Sequence, residues 1–284
     1  MSQLLACIDD SRYTRSVLDH AAWAASRTGA TVELLHVLER HPERASVTDF
    51  SGAIGMDAGS ALLTQLAALD EERGKLAAQQ GESLLDAAVA HLHERGVAPV
   101  QAHLRHGTLV DVLDDARFDS DLLVMGKRGE AADFARMHLG SSLERVLRAS
   151  ERPVLVASRA WHPPRRVLVA FDDSPGAGKA AALAADHALL AGLECHVVMA
   201  AADGADTGPA LQRAREPFQR AGVECTVAAV VGDPADVLPA YADAHDIDLL
   251  VMGAYGRSRV RELLLGSTTA TLLRRCLLPV LVVR

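Results

Sequence analysis

The sequence predicts an α/β protein in which one open, parallel-sheet domain is written twice. Three observations carry that prediction. Leu4-Leu-Ala-Cys-Ile-Asp9-Asp10-Ser11 returns as Val167-Leu-Val-Ala-Phe-Asp172-Asp173-Ser174, Leu122-Leu-Val-Met-Gly126 returns as Leu249-Leu-Val-Met-Gly253, and Pro153-Val-Leu-Val returns as Pro279-Val-Leu-Val, in the same order; self-similarity of this kind marks a duplicated unit. The runs are apolar at successive positions rather than alternate ones, as strands covered by helices on both faces require. The chain has 284 residues, so each copy has roughly 120 to 160, enough to bury a core of its own.

The elements follow in the same order in both copies. In the first, a strand over 4–8 precedes a helix over 12–28, whose Val17, Leu18, Ala21 and Ala24 recur at helical spacing and which Gly29 stops. A strand over 31–38 follows, then a long Ala- and Leu-rich helix from about Leu62 to Arg95. The remaining elements are a strand over 100–105, a helix over 109–117, a strand over 122–125, a helix over 141–149 and a strand over 154–157. The second copy gives strands at 167–171, 194–199, 225–231, 249–252 and 280–283, with helices at 179–191, 209–221, 235–244 and 267–277. The expected domains are 1–158 and 167–284, and the connector 159–166 is stiffened by Pro163 and Pro164. Residues 41–81 hold most of an insertion of about 36 residues in the first copy, because the offset between copies falls from 163 at the first strands to 127 at the fourth. Within it, 51–59 reads as a loop; the insertion is either a lengthened surface element or a lid or partner surface.

Composition narrows the function. A net charge of −8 and 4% aromatic residues argue against a nucleic-acid partner, which needs concentrated Lys and Arg and faces for stacking. The N-terminal apolar run is short and soon reaches Asp9 and Asp10, and no run of 18 apolar residues occurs, so a cytoplasmic protein without a membrane partner is expected. Cys7, Cys195, Cys225 and Cys276 show no C-x-x-C spacing and read as buried free thiols.

The chemistry concentrates after the fourth strand of each copy. In the second copy Gly253-Ala-Tyr-Gly256 is followed after nine residues by Gly266-Ser267-Thr268-Thr269. Glycines let a backbone approach a ligand, and a helix start offers N–H groups to an anion; the alternative is a plain strand-to-helix loop. On a parallel sheet, ligands sit beyond the strand carboxyl ends, where Asp9 and Asp172 also stand.

The pattern G-x-x-G, nine residues, G-S/T, after an apolar fourth strand and with an Asp ending the first, resembles the universal stress protein family, in tandem form over nearly the whole chain. The resemblance implies two Rossmann-like domains of the adenine nucleotide alpha hydrolase-like kind, each with five parallel strands in the order 3-2-1-4-5. It implies that they pack through their fifth strands as a single-chain counterpart of the family's dimer, with a further homodimer open, and that members with this motif bind ATP. Carried over position by position, Asp172 meets the adenine or ribose, with Ala170 and Phe171 beside it and Ala200 flanking the adenine. Met252, Gly253, Gly256, Gly266, Ser267, Thr268 and Thr269 surround the ribose and phosphates. In the first copy the matching positions are Asp9, Val37, Met125, Gly126, Gly129, Gly140, Ser141 and Ser142.

The first copy departs from the pattern, with ten residues rather than nine between Gly129 and Gly140. Its loop carries two acids against Arg136, whereas Arg257, Arg259 and Arg261 face only Glu262 in the second; Lys127 and Arg128 partly compensate. The second copy is therefore expected to be the better nucleotide site. Asp10 and Asp173 could hold Mg²⁺ with ATP, but such residues at a strand end more often cap the next helix, which Ser11 and Ser174 also suit. Neither G-x-x-x-x-G-K-[ST] nor G-x-S-x-G occurs, so the residues read as a nucleotide holder, with slow ATP turnover as an alternative. His91, His93, His103 and His106 are not expected to hold a metal. The other class of function is an interaction scaffold, in which the divergent first copy binds a protein or an apolar small molecule.

Overall fold

The computed structural model of the chain describes residues 2–39, 56–115, 118–129, 139–254 and 266–284. The first repeat runs β1 (Gln3–Ile8), α1 (Thr14–Thr28), β2 (Thr31–Leu38), α2 (Met56–Glu94), β3 (Val100–His106), α3 (Leu109–Leu113), β4 (Leu122–Gly126), α4 (Ser141–Ala149) and β5 (Val154–Ala157). The second runs β6 (Arg166–Ala170), α5 (Pro175–Asp186), β7 (Glu194–Ala201), α6 (Gly208–Ala221), β8 (Cys225–Val231), α7 (Pro234–Ala244), β9 (Leu249–Gly253), α8 (Ser267–Arg275) and β10 (Val280–Val283).

All ten strands join one sheet in the order β3-β2-β1-β4-β5-β10-β9-β6-β7-β8. Each half is therefore 3-2-1-4-5 and parallel throughout, as the family resemblance implies. The halves meet where β5 and β10 pair antiparallel, with Leu155 opposite Leu281. Both strands are buried along their whole length, so pairing them hides two apolar edges that would otherwise template aggregation. Successive side chains leave opposite faces of a strand: Leu4, Ala6 and Ile8 enter one core layer, Leu5 and Cys7 the other. Each layer continues from one repeat into the next, through Leu155 and Leu281 on one face and Val154, Val156, Val280 and Val282 on the other.

Reciprocal cations strengthen the junction. The Lys127 ammonium, from the end of β4, donates to the carbonyls of Cys276 and Leu278, the latter at 2.8 Å, beyond the C-terminus of α8. Arg284, following β10, donates to Arg148 O at 2.6 Å and Ser150 O at 3.3 Å at the C-terminus of α4. Cations at these ends satisfy carbonyls the helices leave open and complement the helix dipoles. The connector has no regular structure and is held by its tryptophan. Trp161 packs edge-on to His20 at 4.6 Å and tilted to Trp23 at 6.2 Å, both on α1. Arg27 of α1 reaches the second repeat, donating to Leu189 O at 2.5 Å and to Ala191 O.

Several boundaries differ from the sequence expectation for local reasons. Helix α1 starts at Thr14 rather than Arg12, because Ser11 first closes a turn, its carbonyl accepting from Thr14 N–H at 3.2 Å. Helix α5 starts at Pro175, not Lys179: Ser174 accepts the Ala177 N–H and Pro175 fixes the first helical φ. It stops at Asp186, not Ala191, where His187 turns extended and its Nδ1 accepts from Leu189 N–H at 3.1 Å. Strand β6 begins at Arg166, inside the expected connector, and α3 ends at Leu113 rather than Arg117. Helix α2 begins at Met56, so residues 56–59 of the expected loop are helical; residues 51–55 lie outside the described residues.

Candidate functional site

At the carboxyl edge of the second repeat, β6, β7 and β9 end around a cavity of about 340 Å³. It lies where the sheet order changes direction between β6 and β9, the position at which open α/β sheets present a crevice. Ala170, Phe171 and Asp172 come from the end of β6, Ala200 from β7, Met252 and Gly253 from β9, and Gly266, Ser267, Thr268 and Thr269 from the start of α8; all ten line the cavity. Gly256 lies outside the described residues.

Local chemistry explains each placement. Phe171 N–H donates to Val198 O at 2.9 Å, carrying the ladder one residue past β6 and bringing Asp172 to the rim. Asp172 Oδ1 accepts from Ser174 N–H at 3.1 Å, which holds the carboxylate at the turn into α5. Asp173 has φ 63, the left-handed region that Asp tolerates better than most residues. Its carboxylate receives a fork from Arg213 Nε at 2.8 Å and Nη2 at 2.7 Å. Of the two expected roles, helix capping falls to Ser174, while Asp173 is bound to α6. A Cβ on Gly253 would stand 2.8 Å from Gly176 C and 3.0 Å from Ala177 N, so this position is glycine because the first turn of α5 crosses it. Thr269 Oγ1 donates to Gly253 O at 3.3 Å, tying α8 to the same strand end. Gly266 caps α8 with no side-chain hydrogen bond, and the first turn carries no acid, so the dipole and N–H groups of this helix start face the cavity with no acid of their own turn beside them.

Six further lining residues escaped the sequence reading: Ser174, Ala177, Val198, Pro234, Leu238 and Leu272. Val198 was reachable, being two residues from Ala200 on the same strand face. Pro234 and Leu238 belong to α7, which only the fold brings over β7. Asp172 is the one ionisable group among the described lining residues; the rest of the wall is apolar or neutral.

The first repeat assembles its counterpart differently. Asp9 Oδ2 lies 2.7 Å from where a Cβ on Gly129 would stand, and a Cβ on Gly126 would meet Tyr13 Cβ at 2.7 Å. Gly140 packs on Arg128 Cα and Gly129 N, each 3.4 Å from its would-be Cβ, and its N–H donates to Lys127 O at 3.2 Å. Ser142 Oγ donates to Glu39 Oε1 at 3.3 Å, so a carboxylate already stands beside the start of α4, whose first turn also carries Glu144. Met125 is buried beneath Gly126, Val37 is half-buried on β2 and Ser141 is exposed. Asp9, Gly126, Gly129 and Gly140 thus come together. Lys127 does not join them, contrary to its expected compensating charge. It is buried, turned toward the second repeat, and burial pushes its pKa down to about 8. The loop segments 130–138 and 255–265, on which the comparison of loop charge rested, lie outside the described residues.

The thiols are shielded, and His91 and His103 have carboxylate neighbours. Cys7, Cys195 and Cys276 are buried free thiols and Cys225 is half-buried; burial, with Asp9 adding to it, pushes Cys7 up to about 12. His91 meets Asp19 at 2.8 Å, and His103 meets Glu33 at 3.4 Å and stacks edge-on to Phe118. Among the described residues no helix is long and apolar enough to cross a membrane.

Comparison with known proteins settles the family. The model of the universal stress protein family matches residues 1–158 and again 164–284. The chain belongs to the universal stress protein family. A curated universal stress protein of Synechocystis sp. is 35% identical over 287 residues, covering 100% of both chains, so this is the tandem form. The solved universal stress protein of Archaeoglobus fulgidus DSM 4304 shares its fold, with a TM-score of 0.72 at 24% identity over 99% of this chain and 98% of that one. A putative universal stress protein from Pseudomonas aeruginosa UCBPP-PA14 gives 0.63 at 18% identity, over 100% of this chain and 93% of that one.

Proposed function

We propose that this tandem universal stress protein is a nucleotide-binding stress or signalling protein that holds ATP in the cavity of its second repeat. The observation that carries the reading is the α8 N-terminus: a helix start with no acid and no side-chain cap opens on an apolar cleft whose rim carries Asp172. The adenine would lie among Phe171, Val198, Ala200 and Leu238, Asp172 would accept from its ribose or amino group, and the phosphates would run over Gly253, Gly266, Ser267, Thr268 and Thr269, with Gly256 alongside. A cavity of about 340 Å³ falls within the usual range for small-ligand sites. Any Mg²⁺ would enter with the phosphates, since the Asp173 carboxylate is engaged by Arg213. With one carboxylate in the described wall, the cavity suits holding nucleotide better than turning it over. The proposed units are residues 1–158 and 167–284, acting in the cytoplasm.

For the first repeat, a scaffold role is favoured by one observation, the Glu39 carboxylate beside Ser142, where it would repel a phosphate. The test is to denature freshly purified protein and identify what it releases. One ATP per chain, lost in Asp172→Ala, supports the reading. Two per chain would remove the distinction between repeats, and none, with no heat on titration of ATP into the stripped protein, would remove the nucleotide.

A further inference from the structure

Helix α2 has 39 residues, about 58 Å at 1.5 Å each, and its C-terminal part packs on the domain. Leu85, Ala88 and Leu92 are buried against the sheet and α1, whereas every residue from 65 to 76 is exposed. Most helical stability in proteins comes from packing of an apolar face, and this segment also contains Gly74, a costly residue in a helix interior. Yet it carries three leucines, Leu66, Leu69 and Leu76, exposed by 39%, 50% and 53%. At about 100° per residue they fall within one arc of roughly 80°, the width of a helix-pairing seam.

The charges around that seam specify what covers it. Arg73 lies within the stripe and pairs with Asp70 at 3.7 Å, while Asp70 and Glu72 border the stripe on its two sides. Glu71 and Lys75 point away from it and pair with each other at 2.8 Å. The arrangement is symmetric about residue 71: Leu66 and Leu76 stand equally far from it, as do Leu69 and Arg73, and Asp70 and Glu72. A second copy running antiparallel would place Leu66 on Leu76 of the other chain. It would lay the stem of Arg73 over the opposing Leu69, with the guanidinium between Asp70 and Glu72 of that chain. Such a contact is isologous, each surface being its own complement.

We propose that α2 is a self-association surface through which two chains pair antiparallel over residues 66–76. A single helix pair covers less than the roughly 1,200 Å² of a stable interface, so the dimer forms in the micromolar range. Sedimentation velocity on the full chain tests this. At about 100 μM the species should have twice the chain mass, dissociating toward one chain near 1 μM. Leu69→Glu with Leu76→Glu should stay at one chain mass at 100 μM with an unchanged urea midpoint, because both leucines lie outside the core. Arg73→Glu should weaken association at least tenfold, and mixing it with an Asp70→Arg, Glu72→Arg chain should restore it. A wild-type protein of single-chain mass at 100 μM, or a dimer that survives the double glutamate variant, would overturn the proposal. Failure of the charge-swapped mixture to associate would overturn the antiparallel pairing.

Discussion

Gly253 and Gly126 end matching strands, but different neighbours crowd them. The first is crossed by the backbone of Gly176 and Ala177, the second by the Tyr13 side chain. In the second repeat Pro175 and Gly176 let the next helix begin at once and pass close over the strand end, leaving a cleft between α5, α7 and α8. In the first, Arg12 and Tyr13 delay the helix to Thr14. There Tyr13 is buried at the strand end, Asp9 sits against Gly129, and Glu39 sits beside α4. The same glycine pattern therefore accompanies a cleft lined by a helix start in one repeat and, in the other, a strand end packed by Tyr13 with Glu39 beside the next helix. The neighbours of a glycine, more than the glycine, decide which.

Four measurements would break or sharpen this contrast. Asp172→Ala should lower ATP affinity by about 10- to 100-fold, the usual loss when a hydrogen bond to a charged group is removed. Asp9→Ala should change it by less than about twofold, within the tenths of a kcal/mol expected away from a ligand; calorimetry that ranked the two the other way would invert the comparison. Gly253→Ala should cost about 1–3 kcal/mol in urea unfolding, since the added methyl meets backbone that cannot move away. Gly126→Ala should cost less, because Tyr13 can shift.

Raising the pH should test the Lys127 side of the junction. Lys127 has its pKa pushed down to about 8 from an ordinary 10.5, so between those values the unfolded chain holds the extra proton and stability rises with pH. The Lys127 contribution, read as the difference between the wild type and Lys127→Met, should grow by about 1 kcal/mol from pH 8 to 9. The thiols oppose it over the same range, since Cys7 at about 12 and Cys195 at about 11 keep their protons in the fold while the unfolded chain, with thiols near 9, is losing them. The smallest effect is expected from Glu39→Gln. Removing a charge near a helix start changes an anion's binding by about 0.3–1 kcal/mol, so a second, weak nucleotide equivalent should strengthen by about two- to fivefold.

Much of the fold was legible because it rests on short-range regularities. Runs such as Leu122 to Met125 and Val280 to Val283 can only be strands covered on both faces, and their recurrence announces two units. Helix ends were harder: α5 was displaced at both ends because its start is signalled by Ser174-Pro175 rather than by its run of alanines, and its end is set by the turn at His187. For the candidate site, Asp172, Gly253, Gly266 and Ser267 to Thr269 were read from strand ends and glycine spacing, while Ala170, Phe171, Ala200 and Met252 came only with the family resemblance. They lie where strands stop and helices begin, which the sequence marks. Pro234 and Leu238 were not named, since nothing local says that α7 crosses β7.

By itself, then, the sequence determined the duplication, the strand and helix order, and the residues standing at the carboxyl edge of the sheet, because apolar periodicity and glycine, proline and serine chemistry act over a few residues. Only the tertiary structure decided that Lys127 leaves its own glycine loop to hold the far repeat, that Tyr13 packs on Gly126 and Glu39 stands beside Ser142, and that residues 65–76 of α2 are exposed. Each of these depends on which distant surface a side chain meets, and that is set by packing between elements far apart along the chain.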